Sequence, residues 1–538
     1  MGRYISGVSG SSGSTSPGSL FNMTAGENVV ANNLILAAED GTAYKANTLL
    51  SLAQLNNNTA GAVAVASKVP ATPGSNYRLS PSAMRNTVAF PTGEVLYAFT
   101  GDGTTTTTNV NLSVRNITAG AVKAPVVVST DVTCNLVGVE RLTDNLAVVW
   151  WLQASTINFA IYDKTGTLVT AEATGPVIVG TTRNTVCCRA LANGDFVFFY
   201  QASGNSAKFT RYNSAGVAQG SEVTVDDSAS PVAVNVIALV AGGFVCHYYR
   251  GTATTGWKFA RYDASGTIQG SLVSAPNSYQ QGGTHANYDQ TGIELATAGY
   301  VAIMRRSSAT NNPWYVDIYN DSNVLQVSIN VQPNGTSPDN IGSIVKCSGG
   351  FVTILHGQFC RRFAENGGQI GAEVSVTSIS AVVYSDADTY SSTWIEPVAS
   401  GFAVLRQAEQ GTARALQFAV LDPSFTLRGS LITIQPSGAT VVWGPCLTML
   451  SGLALVSNGL GDATTPVMSS FLVSRTSIFG ACQASVSKGS TATVATVGSF
   501  NLTDTYTSGG AFDVRTNTAP GNRGTVAGAS ALFLGTSV

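Results

Sequence analysis

The sequence predicts an all-β protein whose body is a β-propeller of about eight four-stranded blades, or seven if the first or last unit belongs to a neighbouring domain. Three observations carry this expectation. A small residue opening an apolar run recurs at Gly93, Asn145, Gly194, Gly243, Gly299, Gly350, Gly401 and Gly452, at spacings of 52, 49, 49, 56, 51, 51 and 51 residues. Behind it recurs a turn of aromatic, Asx and Gly, as in Tyr162-Asp163-Lys164-Thr165-Gly166, Tyr212-Asn213-Ser214-Ala215-Gly216 and Tyr262-Asp263-Ala264-Ser265-Gly266. A regular period of strand-forming units of this length marks a propeller. Finally, hydrophobic residues make up 44% of the 538-residue chain and charged ones only 11%. That is less than half the usual charged share of roughly 25%. It leaves a large core under a coat of neutral polar side chains.

Taken in chain order, residues 1–20 are dominated by Gly, Ser, Thr and Pro and read as a flexible arm. Residues 21–80 read as a small β-rich anchoring segment and a linker. Asn33-Leu34-Ile35-Leu36 and Thr42-Ala43-Tyr44-Lys45 look like short strands, and Glu39-Asp40-Gly41 between them suits a hairpin because Asp-Gly tolerates positive φ. Residues 81–490 hold the repeats. Each unit reads as four strands. The first precedes the small anchor, as in Val234 to Leu239. The second, such as Phe196 to Tyr200, is apolar on both faces and must lie between two layers. The third carries the aromatic, as in Phe209 to Tyr212. The fourth alternates with period two, as in Gly220 to Val225, the pattern of a half-exposed outer strand. In the turn between third and fourth strands, Asx bonds its own backbone and Gly supplies a left-handed position. Leu421-Asp422-Pro423-Ser424-Phe425 loses that Gly, and Tyr319-Asn320-Asp321-Ser322-Asn323 keeps Asn in its place. A closed ring leaves only short protected edges, whereas an open stack needs polar capping units that the end repeats do not supply. Residues 491–538 break the pattern and read as C-terminal strands, for ring closure or for docking on a partner.

Several function classes are disfavoured. The net charge is −2 and no basic stripe occurs, so the footprint of a nucleic-acid binder is missing. The short pairs Arg305-Arg306 and Arg361-Arg362 read as solvated strand ends. No apolar run reaches the about 18 residues of a membrane span, and the N-terminus has no signal-peptide pattern. The eight cysteines include no C-x-x-C pair, and several sit in apolar strand runs, as small buried hydrophobes do.

Chemistry-bearing residues are few. Of three histidines, His247 and His356 fall in second-strand runs and read as core or channel residues, while His285 stands in the Gly-rich segment Gln281 to Asn287 with Asp289 nearby. Paired carboxylates could hydrolyse a glycosidic bond. Asp102, Asp226, Asp227, Asp386, Asp388 and Glu396 are candidates, but they share no repeated spacing. No catalytic, cofactor or metal set is expected. Trp257 and Trp314, in loops between second and third strands, are with His285 the candidate surface-binding residues.

The Gly/Ser-rich arm, the segment Ala38-Glu39-Asp40-Gly41-Thr42-Ala43-Tyr44-Lys45 and units of the type Arg261-Tyr262-Asp263-Ala264-Ser265-Gly266 resemble virion proteins of tailed bacteriophages, of the tail-fibre, neck or tail-tip kind. The resemblance implies a non-enzymatic structural or adhesive part of a virion. It would be assembled in the host cytoplasm and released by lysis, attached through its N-terminal region, with the propeller as a rigid platform. The implied partners are other virion proteins, a host surface glycan or receptor, and further copies of the chain in a trimer or a ring-bound set. No nucleic acid, membrane insertion or cofactor is implied. The alternatives are a glycan-binding propeller lectin and a glycan-cleaving propeller.

Overall fold

The computed structural model describes residues 20–25, 31, 34–38, 42–45, 62–70, 77–78, 490–495, 497–500 and 531–534. It also describes residues 85–482, apart from 102–108, 117–120, 123–124, 131–133, 180–184, 228–230, 251–255, 276–289, 307–312, 332–341, 356–358, 376–392, 399–400, 411–412, 440–444, 451, 461–464 and 474–475. The chain begins with β1 (Leu20–Ala25), β2 (Leu34–Ala38), β3 (Thr42–Lys45) and β4 (Val63–Pro70). Eight blades follow.

Blade 1 holds β5 (Tyr77–Arg78), β6 (Thr87–Ala89), β7 (Glu94–Gly101), β8 (Val110–Asn116), β9 (Ala121–Val122) and β10 (Val126–Ser129). It is a four-stranded blade in which the inner and the outer strand are each broken in two: β5 and β6 both pair with β7, and β9 and β10 both pair with β8. Blade 2 is β11 (Cys134–Arg141), β12 (Leu146–Gln153), β13 (Thr156–Asp163) and β14 (Leu168–Val177). Blade 3 is β15 (Val186–Ala190), β16 (Phe196–Ala202), β17 (Ser206–Tyr212) and β18 (Val223–Asp226). Blade 4 is β19 (Pro231–Ala238), β20 (Phe244–Arg250), β21 (Trp257–Tyr262) and β22 (Val273–Ser274). Blade 5 is β23 (Gly292–Glu294), β24 (Val301–Arg306), β25 (Trp314–Tyr319) and β26 (Leu325–Asn330). Blade 6 is β27 (Gly342–Cys347), β28 (Gly350–Leu355), β29 (Phe359–Ala364) and β30 (Gln369–Ser375). Blade 7 is β31 (Thr393–Val398), β32 (Gly401–Gln410), β33 (Ala413–Leu421) and β34 (Leu427–Ala439). Blade 8 has β35 (Cys446–Leu450), β36 (Leu453–Leu460) and β37 (Thr465–Leu472).

The inner strands β6, β11, β15, β19, β23, β27, β31 and β35 neighbour one another in that order, and β35 returns to β6. The eight blades therefore form a closed ring. The fourth strand of blade 8 is β4, which pairs antiparallel with β37. The segment expected as a linker thus closes the ring, and it comes from the opposite end of the chain. The C-terminal chain goes elsewhere. β38 (Thr476–Cys482) and β39 (Thr491–Ala495) join β1, β3 and β2 in a small closed barrel, in which β2 and β3 form the expected antiparallel pair. The last pair is β40 (Val497–Phe500) with β41 (Ala531–Leu534).

Second strands are buried along their length, as β12, β16 and β28 show, while the outer strand β14 is mostly exposed. The reason is stacking. Apolar clusters fill the interfaces of successive blades from 1/2 to 7/8. The 3/4 interface is aromatic, with Phe209 edge-on to Phe244 at 5.1 Å and to Tyr262 at 4.6 Å between centroids. At the 8/1 interface the described residues form a hydrogen-bond chain. Thr87 Oγ1 donates to Ser457 Oγ (2.8 Å), Ser457 Oγ donates to Asn86 Oδ1 (2.9 Å), and Thr448 Oγ1 donates to the Thr87 carbonyl (3.0 Å).

The repeated turn has the expected chemistry. Asp163, Asn213, Asp263, Asn320 and Asp422 each accept, through Oδ1, the backbone N–H groups two and four residues on. The left-handed position is Gly at 166, 216 and 266, and where the Gly is lost Asn323 and Phe425 adopt φ of 64°. Phe425 holds that unfavourable conformation while its ring stacks on Phe402 at 5.5 Å. The anchor glycine has a separate cause: a Cβ on Gly401 would lie 1.9 Å from the Leu421 carbonyl oxygen.

Candidate functional site

The centre of the ring is where the chain departs most clearly from its repeat. Counted by register against the second strand, one inner-strand position holds Val88, Ile237, Ile293, Val345 and Met449 in blades 1, 4, 5, 6 and 8. The same position holds Glu140, Arg189 and Glu396 in blades 2, 3 and 7. An ionised group in a desolvated belt is costly unless paired, and each of these is engaged. Arg189 reaches Glu140 of blade 2 (3.4 Å) on one side. On the other it donates to Asn235 Oδ1 (3.4 Å) and to the Val236 carbonyl of blade 4 (3.3 Å). Asn235 Nδ2 passes the chain on to Thr291 Oγ1 of blade 5 (3.2 Å).

A second set converges on β31. Gln290, just ahead of β23, reaches past blade 6 to blade 7: its Nε2 donates to the Ile395 carbonyl (2.7 Å) and its Oε1 accepts the Ile395 N–H (3.1 Å). Gln290 Nε2 also lies 3.4 Å from Glu396 Oε1. From blade 1, Arg85 reaches past blade 8 to Glu396 (3.8 Å), its guanidinium 5.8 Å from the Trp394 ring centroid. The Arg85 and Glu396 side chains remain 24% and 19% exposed, so solvent enters the ring there. Ser343 donates to the Thr393 carbonyl and Lys346 to the Leu295 carbonyl, stitching blade 6 to both neighbours. These groups bond inner strands to neighbours and to strands one blade further round the ring.

Behind this belt lies His247, fully buried on β20, with neither ring nitrogen hydrogen-bonded. Its ring lies 5.8 Å from that of Trp257, and a Cβ on Gly292 would come within 2.9 Å of its Nε2. Burial first, and then the Arg189 charge, pull its pKa down to about 3. The imidazole is neutral at physiological pH. The sequence reading of His247 as an interior residue matches this position. Burial likewise pushes the thiols of Cys134 and Cys360 up, the former to about 12, so they pack as small apolar groups.

The candidate surface residues fare differently. Trp257 and Trp314 were expected in exposed loops, but each is the first residue of a third strand, β21 and β25, in register with Tyr249 and Arg306. Both are buried, at 7% and 3% exposure. Packing against the adjoining strands removes the free faces that sugar stacking requires. His285 lies outside the described residues, as do His356, Asp102, Asp386 and Asp388. Of the remaining carboxylates, Asp226 of blade 3 accepts from Tyr248 (2.7 Å) and Lys258 (2.8 Å) of blade 4, an interblade tie, and Asp227 is exposed. The Arg305-Arg306 pair is corrected at its first member. Arg305 is buried and paired with Asp317, with Ser328 Oγ 3.1 Å from its Nη2. Among the described residues no group of three His, Cys, Asp or Glu side chains could hold a metal ion.

Sequence reasoning missed Arg85, Glu140, Arg189 and Gln290. A signal existed for Arg189: it is the charged residue inside the run Val186-Cys187-Cys188-Arg189-Ala190-Leu191.

No family model matches the chain, and no curated protein sequence does. Among solved structures it is similar to the Dos1 propeller, with a TM-score of 0.44 and 8% identity over 74% of this chain and 95% of that one. It is also similar to an ulvan lyase described as a new family of polysaccharide lyase (TM-score 0.40, 10% identity, 76% and 97% covered). A third similarity is to the β-propeller domain of the trilobed protease from Pyrococcus furiosus, described as having an open velcro topology (TM-score 0.38, 10% identity, 66% and 97% covered). The strand order and the closed circuit of inner strands make this chain a β-propeller of eight blades.

Proposed function

We propose that this protein is a non-enzymatic structural or adhesive component of a tailed-phage virion. Its N-terminal region attaches it to the particle, and its propeller is a rigid platform for contacts with other virion proteins or the host surface. The observation that supports a platform is the bonded centre of the ring, where among the described residues Gln290, Arg85, Arg189 and Glu396 tie neighbouring blades and blades one apart to each other. Hydrogen bonds and ion pairs that join separate blades restrain their relative movement. The attachment role rests on the charge-poor, Gly/Ser-rich arm at the N-terminus. The test is quantitative mass spectrometry of gradient-purified particles. The reading expects this chain at a fixed stoichiometry relative to the major virion proteins, and its absence from washed particles sinks it. The lectin alternative has lost its two tryptophan faces, since Trp257 and Trp314 are interior residues.

A further inference from the structure

We propose that strands β1 to β4 form an exchangeable strap, able to close the ring and barrel of a second copy of this chain as they close their own. Three observations on the chain's own strands lead there. The pairing partners of the strap outside itself are the late strands. β4 pairs with β37, β2 with β38, and β1 with β39. Within the strap, β3 pairs with β1 and β2, so its own barrel strands stay associated. Blades 1 to 7 are completed by residues 77–439 and need nothing from the strap. Blade 8 without it keeps three strands and an open β37 edge.

The β4–β37 ladder is itself irregular, with register shifts between Met468 and Ser470 and between Ser470 and Phe471. The 8/1 interface beside it includes hydrogen bonds through Thr87, Ser457 and Thr448 and from the buried Tyr97 to the Val467 carbonyl. Water can replace such bonds at little net cost, about 0.5–1.5 kcal/mol for each. Only residues 71–76 join β4 to the first strand of the ring. Six extended residues reach about 20 Å, enough to carry β4 to the β37 edge of an adjoining copy. Exchange of an identical element leaves every pairing in place and changes only which chain supplies it, so it is a low-cost route to linked copies.

The experiment uses full-length chains in two tagged populations, one carrying Val69→Cys and the other Met468→Cys, positions that are register partners. They are mixed at high concentration, incubated and then oxidised. The doubly substituted chain gives the internal cross-link as a reference. Exchange yields covalent heterodimers that accumulate with incubation time and concentration to tens of per cent of that reference, while unsubstituted chains yield none. An internal cross-link in the double variant with no heterodimer at any time overturns the proposal. Thr24→Cys with Thr491→Cys, register partners in the barrel with Thr491 exposed, repeats the test should Met468→Cys disturb the core. A heterodimer at 69/468 without one at 24/491 would show β4 exchanging alone and would overturn the strap as a unit.

Discussion

The 3/4 and 8/1 interfaces join the same kind of blade to the same kind of blade, yet by different means. At 3/4 the chain runs directly from one blade to the next and the contact is an apolar cluster with Phe199, Phe209, Phe244 and Tyr262. At 8/1 the blades are distant in sequence, and beside the buried Tyr97 ring the contact includes directional hydrogen bonds, among Asn86, Thr87, Thr448 and Ser457 and from the Tyr97 hydroxyl to the Val467 carbonyl. Hydrophobic burial is non-directional. A cluster of phenylalanines cannot by itself tell blade 8 from blade 7. Hydrogen bonds have strict geometry, so a polar closing interface specifies which blade may end the ring. Covalent succession makes that specification unnecessary at 3/4.

The largest expected effect comes from acid, acting at a buried group outside both interfaces. His247 is buried in blade 4 behind the polar belt with a folded pKa near 3, against about 6.5 in an unfolded chain. Between those values the unfolded chain takes up the proton and the folded one does not. Stability is therefore unaffected above pH 6.5, falls as pH drops below it, and levels off near pH 3. The loss is about 5 kcal/mol. Denaturant titrations of the wild type and His247→Phe from pH 7 to pH 4 should converge in slope only if another group dominates. A wild-type stability that is flat over this range removes the buried neutral imidazole.

Next in size, Phe209→Ala should cost about 3–5 kcal/mol, as for other buried aromatic truncations, read as a lower urea midpoint at unchanged slope. Ser457→Ala at the closing interface should cost about 1–3 kcal/mol, because it leaves Thr87 and Asn86 with a lost partner. Equal costs for the two substitutions would erase the distinction between the interfaces. Smallest is Asp263→Ala, which removes two backbone bonds of an exposed turn and should cost about 0.5–1.5 kcal/mol. Unchanged hydrogen exchange at Ser265 and Thr267 would show that the turn does not depend on its Asx oxygen.

The sequence made the repeat legible because stacking imposes the same demands on every blade. Gly401 must be glycine under the Leu421 carbonyl, Phe196 to Tyr200 must be apolar on both faces, and Asp263 must cap its turn. It made β4 illegible as a ring strand, since nothing in Val63 to Pro70 names a partner in Val467 to Leu472. Strand pairing depends on what lies alongside, and that was hundreds of residues away. The burial of Trp257 and Trp314 was hidden for a smaller reason. The third strands start at these residues, and at a strand's first position loop and core are one residue apart. The polar belt was hidden because Glu140, Arg189 and Glu396 are exceptions in a repeated position, and each looks like noise until register aligns them.

The closing strand also sets a timetable. β4 leaves the ribosome before any blade is complete, but β37 follows it by roughly 400 residues. At a synthesis rate of about 5–20 residues per second, β4 waits on the order of 20–80 seconds for its partner. Throughout that interval the nascent ring has an unmatched strand at its leading end and none at its trailing end. On a polysome the nearest β37 edge can belong to the chain ahead.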